Sequence, residues 1–301
     1  MSSDIKADDN NQTDLKKAYA YCQALTKSRA QNFYYAFITL PTVQRRSIYA
    51  TYAFCRLCDD YSDEGDSVEE KAVKLAEFRQ KFDASVKGTP QEALFTALRD
   101  SIDAHHIPYL YFHQIIDGME MDLKYSRYET FDELQRYCYH VASVVGLVCL
   151  EIFTYTDEKA RDYAVSLGTA MQLTNILRDI AEDAVRSRIY IPQEDLRRFN
   201  YTEQDLLLGT LNSSFEELMR FEIQRARSYF ELSSKLESLL PPRPGACVSV
   251  LRGLYERILR RIEAANYNVF RQRISLPVSQ KLMLTGSLWT QSLAKSVLPR
   301  R

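Results

Sequence analysis

The chain has 301 residues, 46% of them hydrophobic, and a net charge of −1. That balance supplies a large buried core, and its near-zero charge argues against a general attraction to nucleic acid. Glycine and proline are scarce at nine each, tyrosine is abundant at 20, and the length alone allows one or two domains.

The first residues, MSSDIKADDNNQT, are polar and lack the apolar stretch of a signal peptide, so a disordered tail is predicted over 1–13. From residue 14 to 301 nearly every segment reads as helix, and strand alternation is absent over any useful length. Capping boxes are expected at Thr89 to Glu92, Ser67 with Glu70, Thr130 with Glu133, and Ser214 with Glu217. Breaks fall at Pro41, 64–67, 88–90 and Pro108, then at 154–157, 186–192, 241–245 and 275–277. About ten helices of ordinary length result. The run from Val141 to Leu150 is too short to span a bilayer. PPRPG at 241–245 reads as a helix–helix turn rather than a domain boundary. The fold class is therefore all-α, as one domain over 14–301. The last stretch, KLMLTGSLWTQSLAKSVLPRR, is mildly amphipathic with a basic end. A terminal helix packed on the core is predicted there, with weak attachment to a membrane surface as the alternative.

Two polar stripes interrupt otherwise apolar helical segments. Tyr52, Arg56, Asp59 and Asp63 fall at offsets 0, 4, 7 and 11; Gln172, Asn175, Asp179 and Asp183 fall at 0, 3, 7 and 11. Each set lies along one face of a 3.6-residue helix. Because their neighbours are apolar, both faces are predicted to look inward, where a carboxylate needs a cationic partner. Mg²⁺ prefers oxygen ligands and is commonly shared between carboxylates and substrate phosphates. Two facing Asp pairs therefore suit a Mg²⁺ cluster gripping a diphosphate, with Arg56, Arg178 and Arg188 adding bidentate phosphate contacts. A single acidic pair would be ordinary on a solvated helix; two matched pairs in apolar helices are not.

Competing chemistry is absent from the sequence. It contains no phosphate-binding G-x-x-x-x-G-K-[ST], no G-x-G, no G-x-S-x-G and no H-E-x-x-H. Cys55 and Cys58 form a C-x-x-C without a second pair, so the cysteines read as small apolar fillers in a reducing cytoplasm. His105, His106, His113 and His140 show no ligand spacing. Tyr34, Tyr35, Tyr52, Tyr139 and Tyr267 are candidates for an aromatic wall that stabilises a carbocation. An apolar remainder would take a long hydrocarbon.

The motifs YAFCRLCDDYSDE, IDGMEMDL, YCYHVASVVG, LTNILRDIAEDAVRSRIYIPQEDLRRF and IEAANYNVF, in this order, resemble the squalene/phytoene synthase family. The resemblance runs from about Lys27 to Leu293. It implies an isoprenoid-synthase helical bundle around a central cavity and a Mg²⁺-dependent head-to-head condensation of two prenyl diphosphates, with two to three ions bound. It places Asp59, Asp63, Asn175, Asp179 and Asp183 as metal and diphosphate ligands. Ser28, Tyr52, Arg56, Arg178, Arg188, Tyr190 and Tyr267 match diphosphate-contacting positions, and Tyr139 and Gln172 match positions near the reacting carbons. Within the family, RIYIPQEDLRRF and the RISLP tail look most like bacterial presqualene diphosphate synthases of the hopanoid route, acting on farnesyl diphosphate. Phytoene or squalene synthesis, or terpene cyclisation, on the same fold is the alternative; an isoprenoid-binding scaffold is the non-enzymatic one. No nucleotide fingerprint points to NADPH, although squalene synthases of the family also lack one. A cytoplasmic protein is expected, with peripheral attachment to the inner membrane surface as a route for lipid product.

Overall fold

The structure is a computed structural model that describes residues 2–29, 31–63, 65, 67–277, 279–280, 282–283, 285–287 and 290. Most of the C-terminal stretch from 281 onward, including its basic end, lies outside the described residues. Thirteen α-helices occur among the described residues. They are α1 (Ser2–Arg29), α2 (Gln31–Phe37), α3 (Thr42–Asp63), α4 (Val68–Lys87), α5 (Ala93–His105) and α6 (Tyr109–Lys124). Next come α7 (Phe131–Cys138), a π turn (Tyr139–Ser143) and α8 (Val144–Phe153), which run on as one stretch. Then follow α9 (Lys159–Val185), α10 (Gln193–Arg198), α11 (Glu203–Leu208), α12 (Ser213–Leu232), a 3₁₀ turn (Leu236–Leu239) and α13 (Pro242–Ala264). No strand forms among the described residues; Arg127 and Ile189 make an isolated bridge.

Local chemistry explains several boundaries. Ser67 and Thr130 cap α4 and α7, each accepting the backbone N–H three residues on, as expected. Two other starts moved. α5 begins at Ala93 after Glu92, and α12 is capped by Asn212, which accepts from Phe215, rather than by Ser214. Asn is as good an N-cap as Ser, and it stands two residues earlier. Pro241 caps α13 and 242–245 form its first turn, so the expected helix–helix turn lies earlier, at Leu240 and Pro241 after the 3₁₀ turn, because proline is well suited to a helix's first turn. Residues 2–13, expected as a tail, continue α1; Gln12, Thr13 and Asp14 are exposed, Leu15 packs against the core, and full burial begins at Ala18.

Two long helices organise the interior. α3 packs on α1, α4, α5, α6 and α8, while α9 packs on α8, α12, α13 and the π turn. α8 thus touches both, and a cavity opens between them. The stretch Phe131–Phe153 is long and apolar enough to cross a membrane by composition, but it packs here against α6 and α9 and supplies cavity wall. Close approach there depends on glycine. A Cβ on Gly168 would sit 2.5 Å from Ser143 Cα, and one on Gly118 would sit 2.8 Å from Val141 Cγ1. Ser143 Oγ donates to the Val165 carbonyl at 2.8 Å and pairs with Thr169 Oγ1 at 3.2 Å, fixing the π turn against α9.

Candidate active site

The cavity has a volume of about 480 Å³, within the range of a ligand pocket. α9 lines it from Ala164 to Asp183, a rise of about 28 Å at 1.5 Å per residue. One end is charged, with Arg56, Asp59, Asp63, Asp122, Asp179, Asp183, Arg186 and Arg188 on its wall. The other is apolar, closed by Phe153, Leu236, Leu240 and Val248.

The charged end gathers two helix C-termini. Asp63 is the last residue of α3 and Asp183 stands two residues before the end of α9, and neither helix carries a basic residue in its last turn. A helix C-terminus carries partial negative charge at Asp63 and Asp183, and with Asp59 and Asp179 one turn earlier the four carboxylates demand cations. They are met unequally. Asp63 accepts from Arg186 at 3.0 Å and from Arg188 at 3.5 Å. Asp179 accepts from Arg178 at 2.8 and 2.5 Å and from Arg273 at 2.9 and 3.0 Å. Among the described residues no ion pair is formed by Asp59 or Asp183. Both border the cavity and are half-buried by area, yet the surrounding protein shields them from bulk water. That desolvation pushes each carboxyl up to about 7. The bridges from Arg186 and Arg188 to Asp63 also show that the two rows meet at one mouth, as expected.

The chain is shaped to deliver these arginines. Ser187 has a left-handed φ of 57°, turning the chain back after α9 so that both flanking arginines reach α3. Asn266 and Tyr267, at φ 51° and 60°, reverse it after α13 and lead to Arg273. Non-glycine residues adopt this region at some cost, which the surrounding contacts offset.

The remaining expected residues divide into two groups. Tyr52, Gln172, Asn175 and Tyr190 line the cavity with the aspartates and arginines above. Arg56 is on the wall but pairs with Asp60. Burial pushes Tyr52 up to about 12 and holds Tyr190 far above its ordinary value, so both remain neutral donors. Ser28, Tyr139 and Tyr267 are not on the cavity wall. Ser28 is exposed at the end of α1, its hydroxyl donating to the Leu25 carbonyl at 2.9 Å. Tyr139 opens the π turn, whose extra residue shifts register. Tyr137, Val141 and Val145 consequently face the cavity, and the Tyr139 ring meets His140 edge-on. Tyr267 sits in the left-handed turn with the Arg220 guanidinium 6.0 Å over its ring. The expected aromatic wall of tyrosines is corrected accordingly. Tyr34 stacks on Tyr49 outside the cavity wall, the Tyr35 side chain lies outside the described residues, and the wall uses Phe33, Phe37, Tyr137, Phe153 and Tyr255 instead. All six cysteines are free.

Sequence reasoning passed over three charged residues. Asp122 accepts from Tyr190 at 2.7 Å and Tyr137 at 3.0 Å, and desolvation raises its carboxyl. It stands in IDGMEMDL near Asp117 and Glu120, but without an acid three or four residues away on its own face to mark it. Arg186 and Arg273 lie in irregular segments, where helical spacing gives no signal.

The donors here fit a hard divalent cation. Asn175 Oδ1 is buried without a hydrogen-bond partner, on the same face as Asp179 and Asp183. No cation among the described residues pairs with Asp59 or Asp183. Among the described residues no three His, Cys, Asp or Glu side chains close on one point. The protein therefore offers oxygen ligands singly and in pairs, the arrangement in which Mg²⁺ keeps water and substrate phosphate as its other ligands.

An all-α bundle with aspartate rows at the mouth of an apolar cavity defines an isoprenoid-synthase architecture. Residues 26–280 match the Squalene/phytoene synthase family, and the chain belongs to it. It is a prenyltransferase of the head-to-head type. It is 37% identical over 290 residues to a 15-cis-phytoene synthase of Synechocystis sp., covering 92% of this chain and 86% of that protein. Among solved structures, a squalene synthase HpnC of Alicyclobacillus acidocaldarius superposes with a TM-score of 0.80 at 29% identity, covering 85% of this chain and 97% of that one. A dehydrosqualene synthase in complex with ligand superposes with a TM-score of 0.87 at 28% identity, covering 95% and 99%.

Proposed function

We propose that this enzyme condenses two molecules of geranylgeranyl diphosphate head to head, toward 15-cis-phytoene. The observation that carries the head-to-head site is one continuous wall in which the aspartate rows pass directly into apolar surface along α9. From Asp179 to Ala164 that wall rises about 22 Å. An extended C20 prenyl chain, sixteen carbons along its backbone, reaches about 18 Å at the per-bond reach of an extended polypeptide, and a C15 chain about 13 Å. The longer chain uses the apolar length, and the phytoene synthase likeness over most of the chain supports the same choice.

Asp59, Asp63, Asn175, Asp179 and Asp183 would hold Mg²⁺, which supplies neutralisation of the leaving diphosphate. Arg188, Arg186 and Arg178 bind phosphate oxygens and place the allylic carbon at the start of the apolar wall. As the first allylic diphosphate ionises, the C2–C3 double bond of the second substrate attacks the cation and a proton is lost to close a cyclopropane. Tyr52 and Tyr190 stay protonated at neutral pH, so the departing diphosphate takes that proton. Loss of the second diphosphate then opens the ring and releases a second proton to give the C40 hydrocarbon. The apolar end excludes water and aligns the two chains, which is where most of the rate enhancement beyond leaving-group stabilisation arises. NADPH has no part in this reading.

Farnesyl diphosphate and presqualene diphosphate form the second reading, favoured by the likeness to the HpnC squalene synthase and the dehydrosqualene synthase. The purified enzyme is incubated with each diphosphate separately, with and without Mg²⁺ and NADPH, and the products are identified by mass. A C40 product from geranylgeranyl diphosphate is expected; C30 product alone would install the second reading, and no Mg²⁺-dependent product would reject both.

A further inference from the structure

Arg273 is absent from both stripes and from the residues carried over by the family likeness, yet it reaches the mouth from far along the chain. It reaches Asp179 across 94 residues, Nε to Oδ1 at 2.9 Å and Nη2 to Oδ2 at 3.0 Å, with Glu182 at 3.5 Å. Arg178 already holds the same two oxygens. With both carboxylate oxygens engaged twice, Asp179 cannot present itself freely to a cation until one guanidinium leaves. Arg178 is the poorer candidate: its side chain is 12% exposed and adjoins Asp179 in the chain. The Arg273 side chain is 49% exposed.

The backbone behind Arg273 is fixed. Val269, Ile274 and Leu276 are buried, and Phe270 packs on Phe215 with ring centroids 5.0 Å apart. Only the long side chain has freedom to move. A guanidinium grips phosphate in the same bidentate fork that it uses on a carboxylate. Exchange of one for the other therefore leaves its hydrogen bonding intact.

We propose that Arg273 is an exchangeable counter-ion and a substrate-positioning residue: it neutralises Asp179 before substrate arrives and moves to the diphosphate once a divalent cation takes Asp179. This rests on the diphosphate site proposed above. Two consequences have opposite signs. Arg273 competes with Mg²⁺ for Asp179 in the absence of substrate, and it adds affinity for diphosphate once Mg²⁺ is bound.

The test uses the full chain and its Arg273→Gln and Arg273→Lys variants. Mg²⁺ alone is titrated by thermal shift, inorganic diphosphate is titrated calorimetrically at saturating Mg²⁺, and KM and kcat are measured separately. Arg273→Gln is expected to bind Mg²⁺ alone several-fold more tightly and inorganic diphosphate about tenfold more weakly, the loss of one charge-assisted contact. KM should rise more than kcat falls, and Arg273→Lys should restore part of the diphosphate affinity. A purely structural bridge would lower the melting temperature of Arg273→Gln and leave both affinities unchanged, which overturns the exchange. If Arg273→Gln does not fold, unchanged affinities in Arg273→Lys overturn it equally. A folded wild type that binds neither Mg²⁺ nor Mg²⁺ with diphosphate would instead sink the proposed function, and this inference with it.

Discussion

At the mouth of the cavity, Asp63 and Asp179 are held by arginines that come from 94 to 125 residues away in the chain. At the base, Gly146 and Gly168 bring backbone against backbone, and Phe153, Leu240 and Val248 close the end. The mouth is built from contacts that solvent and ligand can exchange. The base is built from close packing, which can be changed only by moving main chain. One helix, α9, serves both, so the difference lies in the side chains and not in the scaffold.

The largest expected effect falls at the mouth. Asp59→Asn and Asp183→Asn each remove a cavity-facing carboxylate that no cation among the described residues pairs with. Product formation should drop about 10²–10³-fold or more, the range seen for loss of one preorganised electrostatic group. Melting temperature should stay level or rise, because an unpaired, desolvated charge has been removed. Steady-state assay and thermal melting together check this. A large loss of stability would mean that these carboxylates hold the fold together and that the mouth is not distinct from the base.

The reverse is expected of Gly168→Ala. Its Cβ would meet Ser143 Cα at 2.5 Å and Ser143 N at 2.8 Å, both backbone atoms that cannot turn aside. Overpacking of this kind costs about 1–3 kcal/mol, or several degrees of melting temperature in a chain of this size. Mg²⁺ affinity of the folded fraction should be unchanged. A variant with wild-type stability would show that the π turn yields, and that the base is softer than its packing implies.

These two ends also differ in how far the sequence disclosed them. The stripes were readable because polar residues at helical spacing stand out against apolar neighbours, and all eight stripe residues line the cavity; Tyr190, which lines it too, was carried over only by the family resemblance. Ser28, Tyr139 and Tyr267 escaped because a helix end, a π turn and a left-handed turn each set side-chain direction without a periodic mark in the sequence. The base was unreadable for a different reason. Val145, Cys149 and Leu167 border a cavity, but nothing in their identity separates a cavity wall from a filled core. Arg273 shows a third limit: a contact across 94 residues depends on tertiary packing alone.

Comparison within the mouth gives a smaller effect. Asp179→Asn leaves the shielded Arg178 without its carboxylate, and about 1–3 kcal/mol of destabilisation is expected from an unmatched desolvated group. Asp63→Asn frees Arg186, whose side chain is 55% exposed, and removes only a long 3.5 Å contact from the shielded Arg188, which keeps the Asp122 carbonyl at 3.4 Å, so about 1 kcal/mol is expected. Denaturant unfolding of the two variants measures the difference. Equal losses would show that the rows are anchored alike, and would remove the reason to single out the α9 side as the guarded one.

A last contrast comes from a buried clamp away from both ends. Arg225 on α12 serves two carboxylates, Glu222 and Asp195, each at 2.7 Å, and both acids are almost fully buried. One guanidinium cannot neutralise two anions, and burial, with Asp195 adding repulsion, pushes Glu222 up from 4.5 to about 8. The folded chain thus holds that proton more tightly than the unfolded chain. The stability it contributes is complete below 4.5 and is lost as pH rises through about 8. Asp59 and Asp183, raised to about 7, slope in the same direction. Melting temperature across this window should therefore fall less steeply in Glu222→Gln than in the wild type, without becoming flat. Saturating Mg²⁺ should flatten the part owed to the mouth and leave the Glu222 part untouched, because no cation from solvent reaches a clamp closed on all sides. If Mg²⁺ removed the whole slope, the interior clamp would be exchanging like the mouth, and solvent access could not be what separates the two.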